Sequence, residues 1–194
     1  MIRSFAASLM CLVMATPVQA GIEEALLAYS QRDYALALQE FQPLALQGDS
    51  IAQFRIGFMY FHGQGVRQDY SEALAWYKKS AKNGNAEALY SIARMYNDGV
   101  GVRRNYVEAM EWYRQAAELG HGQAQAQLGV MYFVGMHVSR DYIEAFKWLN
   151  IAASLGIEVA PKYSDIVARQ MSELQIDEAQ RLANRWLEEH LKPQ

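Results

Sequence analysis

The chain has 194 residues, a formal net charge of −3, 52% hydrophobic residues, four prolines and one cysteine. A chain of this length holds one core or one short repeat array. The acidic balance argues against a nucleic-acid-binding face, and one cysteine excludes an internal disulfide and a cysteine-rich metal site.

Residues 1–20 read as a secretory signal peptide. Arg3 is the only basic residue there, an apolar run from Phe5 to Ala15 follows, and Val18-Gln19-Ala20 precedes the expected cut after Ala20. The run falls short of the ~20 apolar residues of a spanning helix. Cys11 lies inside it as an ordinary apolar residue. Met10 before it is not the small residue that lipid attachment requires. The expectation is therefore an exported, periplasmic or secreted chain whose mature part has no cysteine and is held together by packing. No later apolar run is long enough for a transmembrane segment.

Residues 21–48 form an expected N-terminal helical hairpin, Ile22–Gln31 followed by Asp33–Gln47. Pro43 sits inside the second of these helices and predicts a kink or a break there.

From residue 49 the chain repeats with a period of 36. Tyr70, Tyr106 and Tyr142 keep this spacing, as do Trp76, Trp112 and Trp148; Ala81, Ala117 and Ala153; Gly84, Gly120 and Gly156; and Met59, Met95 and Met131. Three ungapped units follow, 49–84, 85–120 and 121–156. In the first, a helix is expected over Ser50–Phe61, a loop over His62–Gln68, and a second helix over Asp69–Asn83. Tyr70, Ala73, Leu74, Tyr77 and Ala81 recur at helical spacing as its apolar stripe. Asp69-x-x-Glu72, Asn105-x-x-Glu108 and Asp141-x-x-Glu144 each mark a helix start with a capping side chain and an acidic first turn. Asn83-Gly84 and Leu119-Gly120 mark the stops. One such hairpin cannot bury its own stripe, but stacked hairpins can. The fold class is thus all-α, a right-handed α-solenoid of stacked antiparallel helical hairpins. Residues 157–194 are expected to close it as a C-terminal helical cap. Pro161 opens one helix. Asp177 opens another, whose apolar stripe is Ala179, Leu182, Ala183, Trp186 and Leu187, with Glu188-Glu189 toward water.

The unit resembles the Sel-1-like repeat, a relative of the tetratricopeptide repeat. The first copy carries Ala52, Ile56, Gly57, Tyr60, Gly63-Gln64-Gly65-Val66, Asp69, Ala73, Trp76-Tyr77, Ala81 and Gly84. The second has Gly99-Val100-Gly101-Val102, Trp112-Tyr113 and Ala116-Ala117. The third has Leu128-Gly129, Tyr132, Trp148 and Ala152-Ala153. His137 replaces the glycine of positions 65 and 101, which predicts a differently shaped third loop if that position needs a positive φ. Leu149 replaces the tyrosine of Tyr77 and Tyr113. The resemblance implies a protein that assembles or regulates other proteins.

No catalytic constellation emerges. The glycine pairs follow no strand and precede no Lys-Ser/Thr, so they read as turns between helices. His62, His121, His137 and His190 have no metal-ligand spacing. Neither a metal nor a cofactor is expected, and the chain reads as not an enzyme. Some exported relatives of this type resemble cysteine-rich proteins described as acting on β-lactams, but they carry a cysteine pair in each repeat, which this chain lacks. A secreted effector acting on a host is a further alternative.

What remains is a surface. Core positions repeat from unit to unit, whereas one stripe of the first helix does not. Arg55, Phe58, Phe61 and His62 become Ser91, Arg94 and Asn97, then Gln127, Val130 and Phe133. These ten residues are the candidate partner-binding groove on the concave side. Exposed phenylalanines there would mark a contact with a protein or peptide. The alternative is that Phe58, Phe61 and Phe133 pack between units. A monomer that binds no nucleic acid is expected.

Overall fold

In a computed structural model, residues 17–135 and 138–190 are described. Among them are ten helices and no strand. The helices are α1 (Pro17–Ser30), α2 (Tyr34–Leu46), α3 (Ser50–His62), α4 (Tyr70–Lys82), α5 (Ala86–Asp98), α6 (Tyr106–Glu118), α7 (Gly122–Val134), α8 (Tyr142–Ser154), α9 (Ala160–Ala168) and α10 (Glu173–His190). Cys11 and His137 lie outside the described residues. So does the expected signal segment up to residue 16. The expected cleavage point after Ala20 falls within α1.

Consecutive helices pair as α1–α2, α3–α4, α5–α6 and α7–α8, and each pair stacks on the next. The result is an α-solenoid of helical hairpins. Its helix starts follow local chemistry. Asp69 Oδ1 accepts from the backbone N–H of Ser71 and Glu72 at 2.9 and 3.1 Å, and Asn105 Oδ1 from Val107 and Glu108. Asp141 Oδ1 accepts from Glu144 N–H at 3.0 Å. The stops are glycines with positive φ, such as Gly84 at 80° and Gly120 at 83°.

Small residues set the spacing. A Cβ on Gly57 would lie 2.7 Å from the Tyr77 ring, so α3 and α4 pack at a distance only glycine permits in this unit. The second loop glycine does more than turn the chain. Gly101 has φ 72°, and a Cβ there would meet the Tyr70 Cβ of the preceding unit at 2.3 Å. The inter-helix loop of one hairpin is thereby seated on the start of the preceding hairpin's second helix.

The apolar stripes merge into cores between neighbouring hairpins. Phe41, Ile56 and Met59 are buried together near the N-terminus; Tyr77, Ile92 and Met95 follow; then Tyr113, Leu128 and Met131. Polar links cross the same interfaces. Gln53 Nε2 donates to Ala45 O at 2.9 Å, and Gln125 Nε2 to Ala117 O at 3.0 Å. Leu89 fills the corresponding place between them. Such buried amides are stable only when bonded, so they fix the register of the stack.

Two local expectations need correcting. The helix does not break at Pro43: α2 continues to Leu46. Pro43 forfeits only its own N–H bond to the Gln39 carbonyl, and Leu44 and Ala45 beyond it are held by burial. The last helix begins at Glu173, not Asp177. Ser172 and Gln175 form a reciprocal cap: Gln175 N–H donates to Ser172 Oγ at 3.3 Å, and Ser172 N–H to Gln175 Oε1 at 3.0 Å.

The C-terminal end departs from the hairpin rule. α10 packs on α8 rather than pairing with α9. Trp186 anchors it, buried edge-to-face on Trp148 at 6.1 Å, with its Nε1–H donating to Glu118 Oε2 at 3.1 Å. Glu188 and Glu189 point to water.

Candidate protein-binding groove

The ten candidate positions lie on the first helix of each repeat. Five of the ten sequence-derived residues come together in one cleft between α3, α4 and α5: Phe58, Phe61, His62, Ser91 and Arg94. Tyr77, Met95, Asp98 and Val100 complete its walls. The space is about 70 Å³. That admits one aliphatic group, whereas small-molecule pockets measure roughly 300–1,000 Å³.

Each wall has a local cause. Phe61 is edge-on to Tyr70 at 5.1 Å, and the Phe58 ring lies 4.2 Å from the His62 ring. Both phenylalanines are half-buried, with one side on aromatics of their own hairpin and the other lining the cleft. Arg94 and Asp98 are one turn apart on α5, with Nη2 and Oδ2 separated by 4.0 Å and both side chains largely in solvent. An exposed pair at that distance contributes little, about 0–1 kcal/mol, and leaves the guanidinium available. Partial burial, then the Arg94 charge, holds His62 below its usual range, which favours the neutral ring. Burial raises Tyr77 well above the ordinary tyrosine value, opposed by a hydrogen bond with Ser91.

The other five residues lie outside the cleft. Arg55 turns toward the N-terminal hairpin, its guanidinium 5.4 Å from the Tyr29 ring and 5.9 Å from that of Phe54. Asn97 Nδ2 donates to Asp98 Oδ1 at 2.7 Å. Gln127 is half-buried on α7. Val130 and Phe133 are half-buried against the C-terminal core, with the Phe133 ring 6.1 Å from Tyr142.

Sequence reasoning treated Tyr77 only as core, yet its ring reaches the cleft. It weighed His121 only as a metal ligand, and this buried residue sits at the junction of the second and third repeats. Its Nδ1 accepts the Ala124 N–H at 3.2 Å and so caps α7, at the position where Asp49 and Asn85 cap α3 and α5. The ring stacks on Tyr90 at 4.4 Å, and its Nε2 faces Glu87 Oε2 at 3.3 Å. The period itself carried this signal, because residues 49, 85 and 121 are equivalent.

Chemically, the cleft offers aromatic faces, one guanidinium and hydrogen-bonding groups. Among the described residues no cluster of three His, Cys, Asp or Glu side chains could hold a metal ion, and no helix is long and apolar enough to cross a membrane.

Stacked two-helix units of this length, with a glycine-paired loop seated on the preceding unit, define a Sel1-type helical repeat protein. The Sel1 repeat matches residues 50–85, 86–121 and 122–157, more than half of the chain. The chain therefore belongs to the Sel1 repeat family. A solved Sel1 repeat protein from Oxalobacter formigenes is 32% identical, with a TM-score of 0.68 over 72% of this chain and 56% of its own length. A protective antigen of uropathogenic Escherichia coli with the SLR fold is 23% identical, with a TM-score of 0.54 over 91% of this chain and 49% of that one. A sel1 repeat protein from Klebsiella pneumoniae is 19% identical, with a TM-score of 0.50 over 78% and 77%. The last two show the fold alone. The chain spans about half the length of the first two proteins. Among curated proteins none matches it. Sel1 repeat proteins are generally non-catalytic scaffolds for protein interaction.

Proposed function

We propose that this chain is an exported, non-catalytic adaptor that binds a protein or peptide partner along the first helices of its hairpins, in envelope signalling or assembly. The observation that carries the reading is the cleft between α3, α4 and α5, of whose lining residues Phe58, Phe61, His62, Ser91 and Arg94 stand where the repeats depart from their own pattern. Scaffold positions repeat because each hairpin must pack on the next. A stripe free of that duty can serve recognition. Half-buried aromatics beside an available arginine are the residue types that anchor interfaces. The narrow space suits an inserted side chain rather than a metabolite.

Affinity capture with the purified protein, compared with Phe58→Ala, Arg94→Ala and Phe133→Ala, tests the groove. A partner should be retained by the parent and lost from Phe58→Ala or Arg94→Ala. Unchanged capture by all three variants would refute the assignment. Export is tested separately: N-terminal sequencing of protein from the envelope fraction should read Gly21 first, and a cytoplasmic chain that retains residues 1–20 would refute it.

A further inference from the structure

The chain covers one of its own second helices with an amphipathic helix, and the period repeats that seat. α10 lies on α8, where Trp186 sits edge-to-face on Trp148 and its Nε1–H donates to Glu118 of α6. Ala183 and Ala179, three and seven positions before Trp186, are buried on the same stripe of α10. The effect on α8 is visible against the earlier repeats. Trp148 is 2% exposed, whereas its counterparts Trp76 and Trp112 are only half-buried. Ile151 is buried where Lys79 and Gln115 lie in solvent.

The second helices follow the period without a gap, so a shift of 36 residues places the same seat between α4 and α6, and a shift of 72 places it between α2 and α4. The two differ in character. Between α4 and α6, the places of Glu118 and Lys147 are taken by Lys82 and Glu111, both exposed and charged. Between α2 and α4 they are taken by Leu46 and Ala75, also exposed, with Leu46 at 75%. An exposed leucine beside a half-covered tryptophan is the kind of surface that marks a contact. Lys79 and Glu72 leave this groove without net charge, and the Lys79 ammonium rests 3.8 Å from the Trp76 ring centroid.

We propose that the groove between α2 and α4 seats an amphipathic helix of a partner protein, laid on Trp76 as α10 is laid on Trp148. The surface is separate from the cleft described above, so the two readings fail independently. The chain's own example fixes the kind of occupant: a helix with one large anchor and small residues three and seven positions before it, which let the backbones approach. The anchor differs from Trp186 in one respect. Glu118 accepts the Trp186 N–H, whereas Leu46 offers no acceptor, and a buried N–H without a partner is costly. The occupant's anchor is therefore a hydrocarbon side chain, Leu, Met or Phe. Lys79 can lay its stem along the docked helix and keep its ammonium in water. Burial of Leu46 and of the open side of Trp76 supplies the driving force.

The test is selection, on the immobilised full chain, from a display library built on the 18-residue sequence of α10 with the positions of Ala179, Leu182, Ala183, Trp186 and Leu187 randomised. Selected peptides are then synthesised and titrated by fluorescence anisotropy against the parent, Leu46→Asp, Ala75→Glu and Arg94→Ala. Leu46 and Ala75 are exposed, and matching melting curves establish that the variants fold. The expected peptides carry Leu, Met or Phe at the position of Trp186, and Leu46→Asp and Ala75→Glu each weaken them at least about tenfold. Retention of Trp at that position would overturn the anchor chemistry. No binders, or binders indifferent to Leu46→Asp and Ala75→Glu, would overturn the seat. Binders weakened by Arg94→Ala instead would place the peptide in the cleft, which overturns this seat and leaves the cleft reading standing. Sedimentation equilibrium covers the remaining occupant: a dimer abolished by Leu46→Asp would assign the seat to a second copy and overturn the separate partner.

Discussion

Replacing Gly101 and Gly84 separately with alanine divides the cost of a positive φ from the cost of a close approach. Gly84 has φ 80°, and an added Cβ would meet no atom within 4 Å. Only the backbone term applies there, about 1–2 kcal/mol. Gly101 has nearly the same φ, 72°, but its Cβ would lie 2.3 Å from Tyr70 Cβ and 3.2 Å from Met95 Cε. Tyr70 is the first residue of α4 and cannot retreat without shifting that helix, so an overpacking cost of about 1–3 kcal/mol is added. The gain from restricting the unfolded chain is common to both variants and cancels. Gly101→Ala should therefore be the less stable by about 1–3 kcal/mol. With a urea slope of about 2 kcal/mol/M, its midpoint should fall roughly 0.5–1.5 M below that of Gly84→Ala. Urea titration followed by far-ultraviolet circular dichroism and tryptophan fluorescence reads this directly. Equal midpoints would refute the claim that the loop is seated rigidly on the preceding hairpin.

Three further outcomes follow from the same geometry. His121→Asn should keep the α7 cap, as Asn85 does for α5, whereas His121→Ala should lose about 1 kcal/mol or more in the same urea titration. Trp186→Ala should cost about 3–5 kcal/mol and expose α10 to limited proteolysis while leaving α3–α6 protected. Burial raises Tyr77 and Tyr113 well above their value in the unfolded chain, near 10. The unfolded chain then loses these protons first. Stability is thus fully present below about pH 10 and falls as pH rises beyond it, and absorbance at alkaline pH should show two tyrosines that ionise only on unfolding.

Five of the ten candidate residues share the cleft, and they were legible because repetition is itself an experiment within one chain. Positions 58, 94 and 130 differ where 59, 95 and 131 remain methionine, and that contrast placed the variable stripe without any coordinates. The degree of burial was not legible. Phe58 and Phe61 are half-covered by His62, Tyr70 and Tyr77, contacts that depend on how closely α3 approaches α4 across Gly57.

The sequence by itself determined the hairpins, their period and most of their caps, because these depend on interactions within a few residues: an Asp accepting from N–H groups two or three positions on, a glycine taking a positive φ, an apolar stripe at helical spacing. Only the tertiary structure decided what each face meets. It carried α2 through Pro43, since Leu44 and Ala45 are held by burial. It laid α10 on α8, where Trp186 finds Trp148 and Glu118. It thereby left α9 packed on α8 with Tyr163 and Ile166 partly in solvent. Burial is a property of neighbours brought together from distant parts of the chain, and periodicity along the chain says which residues need such neighbours, not which helix provides them.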